Sequence, residues 1–348
     1  MINDWIFYSA TALVIILSLL PFIKSPKWYV RVWDYPRFQL FCLSILILLF
    51  ALFTVSFDQI HKWIFLGLLS GAAILLFWYV YPYSFLSKKM LVKETRTNPE
   101  HALKILTLNV YQKNTQYGKT LQRISEVQPD LLFLLETDHN WMNALQPLKK
   151  DYPHFIEVPM ENTYGLLFYS KIPFIQHEIN YLIDEEIPSI VVDLDMNKHI
   201  VRIFGIHPTP PVPQENEEST DRDAEILIVG KKAKEFDGPS LVFGDLNDVA
   251  WSHTTRLFLR ISEMLDPRIG RGMYNTFHAK YPLMRWPLDH FFVSSHFRLL
   301  DLKVEKGVGS DHFPISIHLS IQFELKEKEL KASGADHEEA DQIIEEAQ

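Results

Sequence analysis

Cysteine is nearly missing from this chain: Cys42 is the single one among 348 residues. An intramolecular disulfide is therefore excluded, and a zinc site built on paired thiolates is excluded with it. Cysteine usage consequently says nothing about redox compartment. Glycine is sparse too, 13 in all, and none of it forms a P-loop or a dinucleotide fingerprint; Gly270-Arg271-Gly272 is too short for either. Positive charge is in deficit, with 34 Lys and Arg against 43 Asp and Glu. Residues 1–96 hold 9 basic and 4 acidic side chains, which leaves 25 against 39 for the rest, a net −14. The segment 325–348 carries 3 basic and 8 acidic residues, so residues 97–324 still stand at −9. A domain that grips a long duplex by its phosphates normally presents a basic face. This deficit suits a small anionic substrate held through a metal, or weak binding of nucleic acid.

Charge is absent altogether from three long apolar runs, residues 5–23, 38–57 and 64–85. Each is close to the roughly 20 residues that cross a hydrocarbon core, and none shows the polar stripe of a buried soluble helix. Three transmembrane helices are expected in a membrane region 1–87, followed by a linker 88–102, a catalytic domain 103–324 and an acidic tail 325–348 without a core to pack on. No basic side chain precedes the first run and no small-residue cleavage site follows it, which argues against a cleaved leader. Lys24, Lys27, Arg31 and Arg37 lie between the first two runs, and Lys88, Lys89, Lys93 and Arg96 follow the third, with Lys62 alone on the other side. The positive-inside rule then puts the amino terminus outside, and the first loop and the large domain in the cytoplasm of a multi-pass membrane protein. Trp28, Trp33 and Tyr35 with their basic neighbours equally fit a segment lying on either membrane surface.

Beyond the linker, short apolar stretches at 103–109, 131–135, 155–158, 165–169, 189–195, 201–207, 241–247, 288–293, 299–304 and 315–323 read as strands. Helical spacing marks 118–127, 140–148, a stretch from 215–223 to about 236, and 252–264. Chemistry gathers at the strand ends. Asn109, Glu136, His207, Asp245 with Asn247, Asp289, and Asp311 with His312 terminate or begin separate apolar segments. Carboxylates, amides and imidazoles, almost without hydroxyls or thiols, suit a hard divalent cation with oxygen ligands beside an imidazole acid or base. Asp245 and Asn247, two apart in an extended segment, would point the same way; the plain alternative is an Asx turn.

The ordered series Leu108-Asn109-Val110, Leu135-Glu136, Gly205-Ile206-His207, Gly244-Asp245-Leu246-Asn247, Leu288-Asp289-His290 and Gly309-Ser310-Asp311-His312 resembles the endonuclease/exonuclease/phosphatase superfamily, the exonuclease III and DNase I-like group. The resemblance covers about 103–321, and with the apolar start it looks like a bacterial membrane-attached branch. It implies an α/β fold, a four-layer α/β/β/α sandwich, preceded by the three transmembrane helices. It also implies Mg²⁺ or Mn²⁺ on Glu136, with Asn109 and Asp311 completing or supporting the site. Asp245 would orient or deprotonate water, Asn247 would hold that water or a phosphate oxygen by its amide, and His312, oriented by Asp289, would donate to the phosphate. His207 matches a second histidine of the family. Leu135 replaces a usual glutamine, at a position that strand alternation turns away from the metal. Several side chains stay open: Asp289 pairs with either His312 or Arg285, and Asn275, His278 and Arg222 are either substrate contacts or turn and cap residues. His290 and His253 read as strand and helix-start residues. The implied activity is phosphodiester hydrolysis, nuclease-like, at a membrane. A lipid or inositol phosphate hydrolase is the alternative, and a non-catalytic scaffold the distant one. The implied partners are a phosphoester substrate, nucleic acid or phosphorylated lipid, and the lipid bilayer, with no obligate protein partner.

Overall fold

A strand whose every side chain is apolar must be covered on both faces, and the segment Leu131–Leu135 is such a strand. Leu131, Phe133 and Leu135 enter one apolar layer, while Leu132 and Leu134 enter another. A computed structural model describes residues 2–95, 98–196, 198–323 and 330–348. In chain order its strands are β1 (Ala102–Asn109), β2 (Leu131–Leu135), β3 (His154–Val158), β4 (Leu166–Ser170), β5 (Phe174–Asn180), β6 (Ser189–Met196), β7 (His199–Ile206), β8 (Ser240–Asp245), β9 (Asp289–Val293), β10 (Phe297–Val304) and β11 (Ile315–Ile321). They form a six-stranded sheet, β10-β11-β1-β2-β4-β3, and a five-stranded one, β5-β6-β7-β8-β9. Each sheet is antiparallel except for one central parallel pair, β1 with β2 and β7 with β8.

The inner faces meet in an apolar layer in which Phe133, Phe168, Phe243 and Phe291 pack ring to ring. Outside the first sheet, helices α5 (Tyr117–Val127) and α6 (His139–Ala144) cover Leu106, Leu108, Leu132 and Leu134 through Ile124, Val127 and Trp141. Outside the second, α7 (Thr220–Glu235) and α8 (His253–Ser262) cover Phe204, Ile206 and Val242. The result is the four-layer α/β/β/α sandwich. Leu135 faces the inner layer, as the alternation required.

Two parts depart from the sequence expectation. β5 forms the edge of its sheet although Gln176, His177 and Glu178 break any apolar run. An edge strand needs cover on little of its surface, so no hydrophobic period marks it. Nor does the acidic segment lack a core: Gly334–Ala347 is a helix (α9) whose Ala340, Ile343 and Ile344 join the outer layer against α7 and α8. Arg260 to Asp336 at 2.7 Å and a capping box at Ser333 fix its start. Three apolar residues on one helical face suffice to anchor it, and the surrounding acids hide that stripe in the composition. The boundary expected at 324/325 lies outside the described residues.

The amino-terminal region contains three helices apolar and long enough to cross a membrane, α1 (Ile2–Leu19), α3 (Arg37–Thr54) and α4 (Ile60–Val80), with the single turn α2 (Trp28–Arg31) between the first two. They pack on one another through Phe7, Val14, Leu40, Ile47, Leu69 and Leu76. At one end of the bundle Lys62 pairs with Asp4 and Asp58. At the other, the Arg37 guanidinium lies 3.9 Å from the Tyr79 ring centroid and bonds to Asp34 at 2.7 Å. This second end docks on the sandwich: Trp251 Nε1 donates to the Asp34 carbonyl at 2.8 Å, Tyr83 Oη to the Ala250 carbonyl at 2.6 Å, and Trp28 N–H to the Glu217 carbonyl at 2.9 Å.

Candidate active site

Strand direction explains why six segments distant in sequence share one site. The parallel pairs bring Asn109 and Glu136, and separately His207 and Asp245, to carboxyl-terminal strand ends. β9 runs against β8 with Asp289 opposite Asp245, and β11 runs against β1 with Ile315 opposite Thr107. The starts of β9 and β11 therefore arrive at the same edge, carrying Asp289, Asp311 and His312.

Asp245 is the centre of the arrangement, buried at 1% exposure. Its Oδ2 accepts from Asn109 Nδ2 at 3.0 Å and lies 3.4 Å from His312 Nε2 and 4.0 Å from His207 Nε2. The same Asn109 Nδ2 donates to Glu136 Oε1 at 2.7 Å, so one amide ties two carboxylates together. His312 Nδ1 sits 2.8 Å from Asp289 Oδ2, which decides that carboxylate's partner; Arg285 turns instead to the Ala279 carbonyl. Asp311 is half-buried, accepts from Ser310 Oγ at 3.3 Å and lies close enough to raise the proton affinity of Glu136.

Charge separates these groups. Burial pushes the Glu136 carboxyl up to about 7, against the Asn109 hydrogen bond and the His312 charge. For His312 burial works downward, but Asp245 and Asp289 outweigh it and raise the imidazole to about 10, so the ring is an imidazolium at neutral pH. Asp245 is driven up by burial and down by His312 and His207, with a net fall below the usual carboxylate range. His207 is lowered to about 4 by burial and stays neutral; its ring lies against Tyr164, with centroids 5.5 Å apart.

Asn247 departs from the extended geometry assumed for it. Its φ is 50° and its N–H donates to Asp245 Oδ1 at 3.0 Å, so the Asx turn and the site corner are the same structure. Its Nδ2 donates to the Pro208 carbonyl at 3.0 Å, leaving one amide hydrogen for another acceptor. Its carbonyl accepts from Tyr35 Oη at 2.7 Å and Arg222 Nη1 at 2.8 Å. Arg222 is thus a brace rather than a substrate contact. His290 is buried between Arg268 and the Asp248 carbonyl, and His253 pairs with Glu339 at the surface. Left-handed backbone gathers here, at Tyr111, Glu136, Gly244, Asn247 and Gly309, as at sites where surrounding structure imposes strain for a purpose. Gly244 has the strictest demand: a Cβ would lie 1.9 Å from the Ile206 carbonyl oxygen at φ 145°. Gly244→Ala is expected to cost at least about 3 kcal/mol, read as a loss of several degrees in thermal unfolding; an unchanged Tm would refute this account of the strand tip.

Sequence reasoning missed the residues that shape the rim. Gln112 N–H reaches Glu136 Oε2 at 3.3 Å, Tyr164 bonds Glu215 beside His207, and the Phe277 ring lies 4.9 Å from that of His312. None ends an apolar run, so no pattern distinguished them.

Oxygen-rich donors with no lysine or arginine paired to Glu136, Asp245, Asp289 or Asp311 among the described residues fit a hard divalent cation. Asp245, Asp289 and His312 also place ligand atoms within 4.8 Å of one another. The proton between His312 and Asp289 already accounts for that closeness, whereas Glu136 is a half-buried carboxylate in want of positive charge.

Solved structures share this fold at low identity, which speaks for architecture alone. An endonuclease/exonuclease/phosphatase from Beutenbergia cavernae DSM 12333 is 18% identical with a TM-score of 0.52, over 64% of this chain and 72% of that one. One from Bacteroides vulgatus is 18% identical with a TM-score of 0.51, over 64% and 99%. D. rerio TDP2 complexed with single strand DNA product is 16% identical with a TM-score of 0.51, over 63% and 99%. No curated protein matches the sequence. The profile of the Endonuclease/Exonuclease/phosphatase family matches residues 106–312, more than half of the chain and all six site segments, and the chain belongs to that family.

Proposed function

We propose that the protein is a membrane-anchored, divalent-cation-dependent phosphoester hydrolase. The observation that carries this reading is the continuous polar chain Asp289–His312–Asp245–Asn109–Glu136, in which one anion, Asp245, is held beside an imidazolium. A cation of the Mg²⁺ or Mn²⁺ type, held by Glu136 with Asn109 and Asp311, would supply charge to a phosphoryl oxygen. Asp245 orients a water and takes its proton; the water oxygen forms the new bond to phosphorus as the ester P–O bond breaks, and solvent protonates the leaving oxygen. His312, fixed by Asp289, donates to a phosphate oxygen, and Asn247 has one N–H for the same purpose. His207, neutral and 4.0 Å from Asp245, walls the site.

Membrane crossing by α1, α3 and α4 belongs to the same proposal. The docking of the 28–37 loop on the sandwich supports a common side for that loop and the catalytic domain, and its basic residues favour the cytoplasmic one. The decisive assay uses full-length protein stripped with EDTA and restored with Mg²⁺ or Mn²⁺, on single- and double-stranded DNA, RNA, sphingomyelin, inositol phosphates and bis(p-nitrophenyl) phosphate. Cation-restored cleavage of at least one is expected. Folded protein that cleaves none removes the reading.

A further inference from the structure

One surface feature is not explained by the sandwich. Residues 280–284, Lys-Tyr-Pro-Leu-Met, are all exposed, and Leu283 at 85% is the most exposed large apolar side chain of the catalytic domain. Tyr281 at 57% and Met284 at 53% accompany it. A basic residue, an aromatic and two flexible apolar side chains form the composition of a segment that settles at a lipid–water boundary.

Two independent ties join the site to the apolar helices, and the first runs through this loop. At its stem, the Ala279 N–H donates to the Asp311 carbonyl at 2.6 Å, and the Phe277 ring lies against His312. At its tip, the Leu283 carbonyl accepts from Gln39 Nε2 at 3.1 Å, in the first turn of α3. Four residues of chain span at most about 14 Å, so with the hydrogen bond at each end the Asp311 carbonyl lies within roughly 20 Å of the Gln39 side chain, in the first turn of a helix long and apolar enough to cross a bilayer. The second tie is Tyr35, two residues before α3, whose Oη bonds the carbonyl of Asn247. Around the same end of the bundle, Tyr29 is 55% exposed, and Phe85 and Leu86, just past α4, are 85% and 74% exposed. Exposed aromatic and apolar side chains thus flank the end of the bundle that Gln39 and Tyr35 tie to the catalytic domain.

We propose that the 280–284 loop enters the interfacial layer of the bilayer beside α3, and that the site takes its phosphoester from a membrane lipid rather than from nucleic acid. This rests on the phosphoester hydrolase reading and narrows its substrate class. The net −9 of residues 97–324 agrees, because a lipid substrate reaches the site by lateral diffusion and needs no basic face to gather it. Lys280, 5.8 Å from the Tyr111 ring, is the cation at the mouth of the loop.

Two measurements on full-length protein in bilayer discs test this. The single native thiol allows a clean label: in a Cys42→Ser background, a nitroxide at Leu283→Cys is compared with Leu46→Cys on α3 and Ile175→Cys on β5. The Leu283 label is expected to meet lipid-soluble oxygen like Leu46, and a water-soluble collider at least fivefold less than Ile175. Accessibility equal to Ile175 overturns the proposal. Discs of phosphatidylcholine doped with phosphatidylglycerol, sphingomyelin or a phosphoinositide are then assayed beside bis(p-nitrophenyl) phosphate and single-stranded DNA, with Mg²⁺. Leu283→Asp/Met284→Asp should lower release from the lipid at least tenfold and leave the soluble diester within twofold. Cleavage of DNA with every lipid untouched, or an equal loss on lipid and soluble diester, overturns it. Failure on the soluble diester as well overturns the hydrolase reading and this proposal with it.

Discussion

Asp245→Asn is expected to lower kcat by roughly 10²- to 10⁴-fold, the range of a removed general base, with the fold retained. The exchange conserves volume, and the β8 strand that carries it is buried throughout. What changes is charge at one oxygen. Asp245 Oδ2 accepts from Asn109 and faces His312 and His207, so it holds the only anion that the two histidines and the amide share. An amide nitrogen there would oppose Asn109 Nδ2 as donor against donor. An amide oxygen there would leave the imidazolium of His312 with Asp289 alone, and its affinity for the proton, now raised to about 10 by two carboxylates, would fall. Activity at saturating substrate and the upper limb of the pH profile should therefore change together, the limb moving to lower pH. Because both groups act as one unit, adding His312→Gln to Asp245→Asn should cost little more than the single change. Circular dichroism and tryptophan fluorescence check the fold. A folded variant that keeps more than a tenth of the native rate, or a double variant whose losses multiply, contradicts the shared role.

How far the site was legible follows from what a one-dimensional pattern can encode. Apolar runs that stop at Asn109, Glu136, His207 and Asp245 declare themselves, since a strand covered on both faces must be apolar until its end. Asp289 and His312 sit instead at strand starts, and their place beside Asp245 depends on antiparallel pairing; the order of motifs, not periodicity, revealed them. Two residues apart means one face in a strand, which favours an extended Asp245–Asn247 pair over an Asx turn, but the strand ends at Asp245 and the chain turns through a left-handed Asn247. Docking of Asp34 and Tyr35 onto Trp251 and Asn247 left no trace in sequence. Hydrogen bonds to backbone carbonyls 212 and 217 residues away require only one polar tip each, and no spacing announces them. α9 was hidden by the opposite effect: its charge was loud, and the Ala340, Ile343 and Ile344 stripe beneath it was short.

The second large effect concerns Glu136, and pH gives it a sign. Without a cation, burial holds this carboxyl at about 7, above the ordinary unfolded value near 4.3. Between those values the folded protein binds a proton that the unfolded chain has released, so stability falls as pH rises through this window and the loss is complete above it. The contribution is on the order of 3 kcal/mol. Glu136→Gln carries no such titration, and the difference between the two unfolding curves from pH 4.5 to about 6.5 isolates it from His312, whose window opens at its ordinary value of about 6.5 and runs up to about 10. A bound divalent cation should erase the same slope by stabilising the ionised carboxylate. At a hundred times its dissociation constant, Mg²⁺ stabilises the native protein by about 2.7 kcal/mol through mass action, or several degrees in Tm. Glu136→Gln should lose most of that gain and nearly all activity, while Glu161→Ala, an exposed acid, should keep both. Equal Mg²⁺ stabilisation of Glu136→Gln and the native protein would move the cation to the Asp245, Asp289 and His312 cluster, and would require His312 to give up the proton it shares with Asp289. Between these two outcomes the half-buried, desolvated carboxylate, not the histidine, has the electrostatic need that a cation meets.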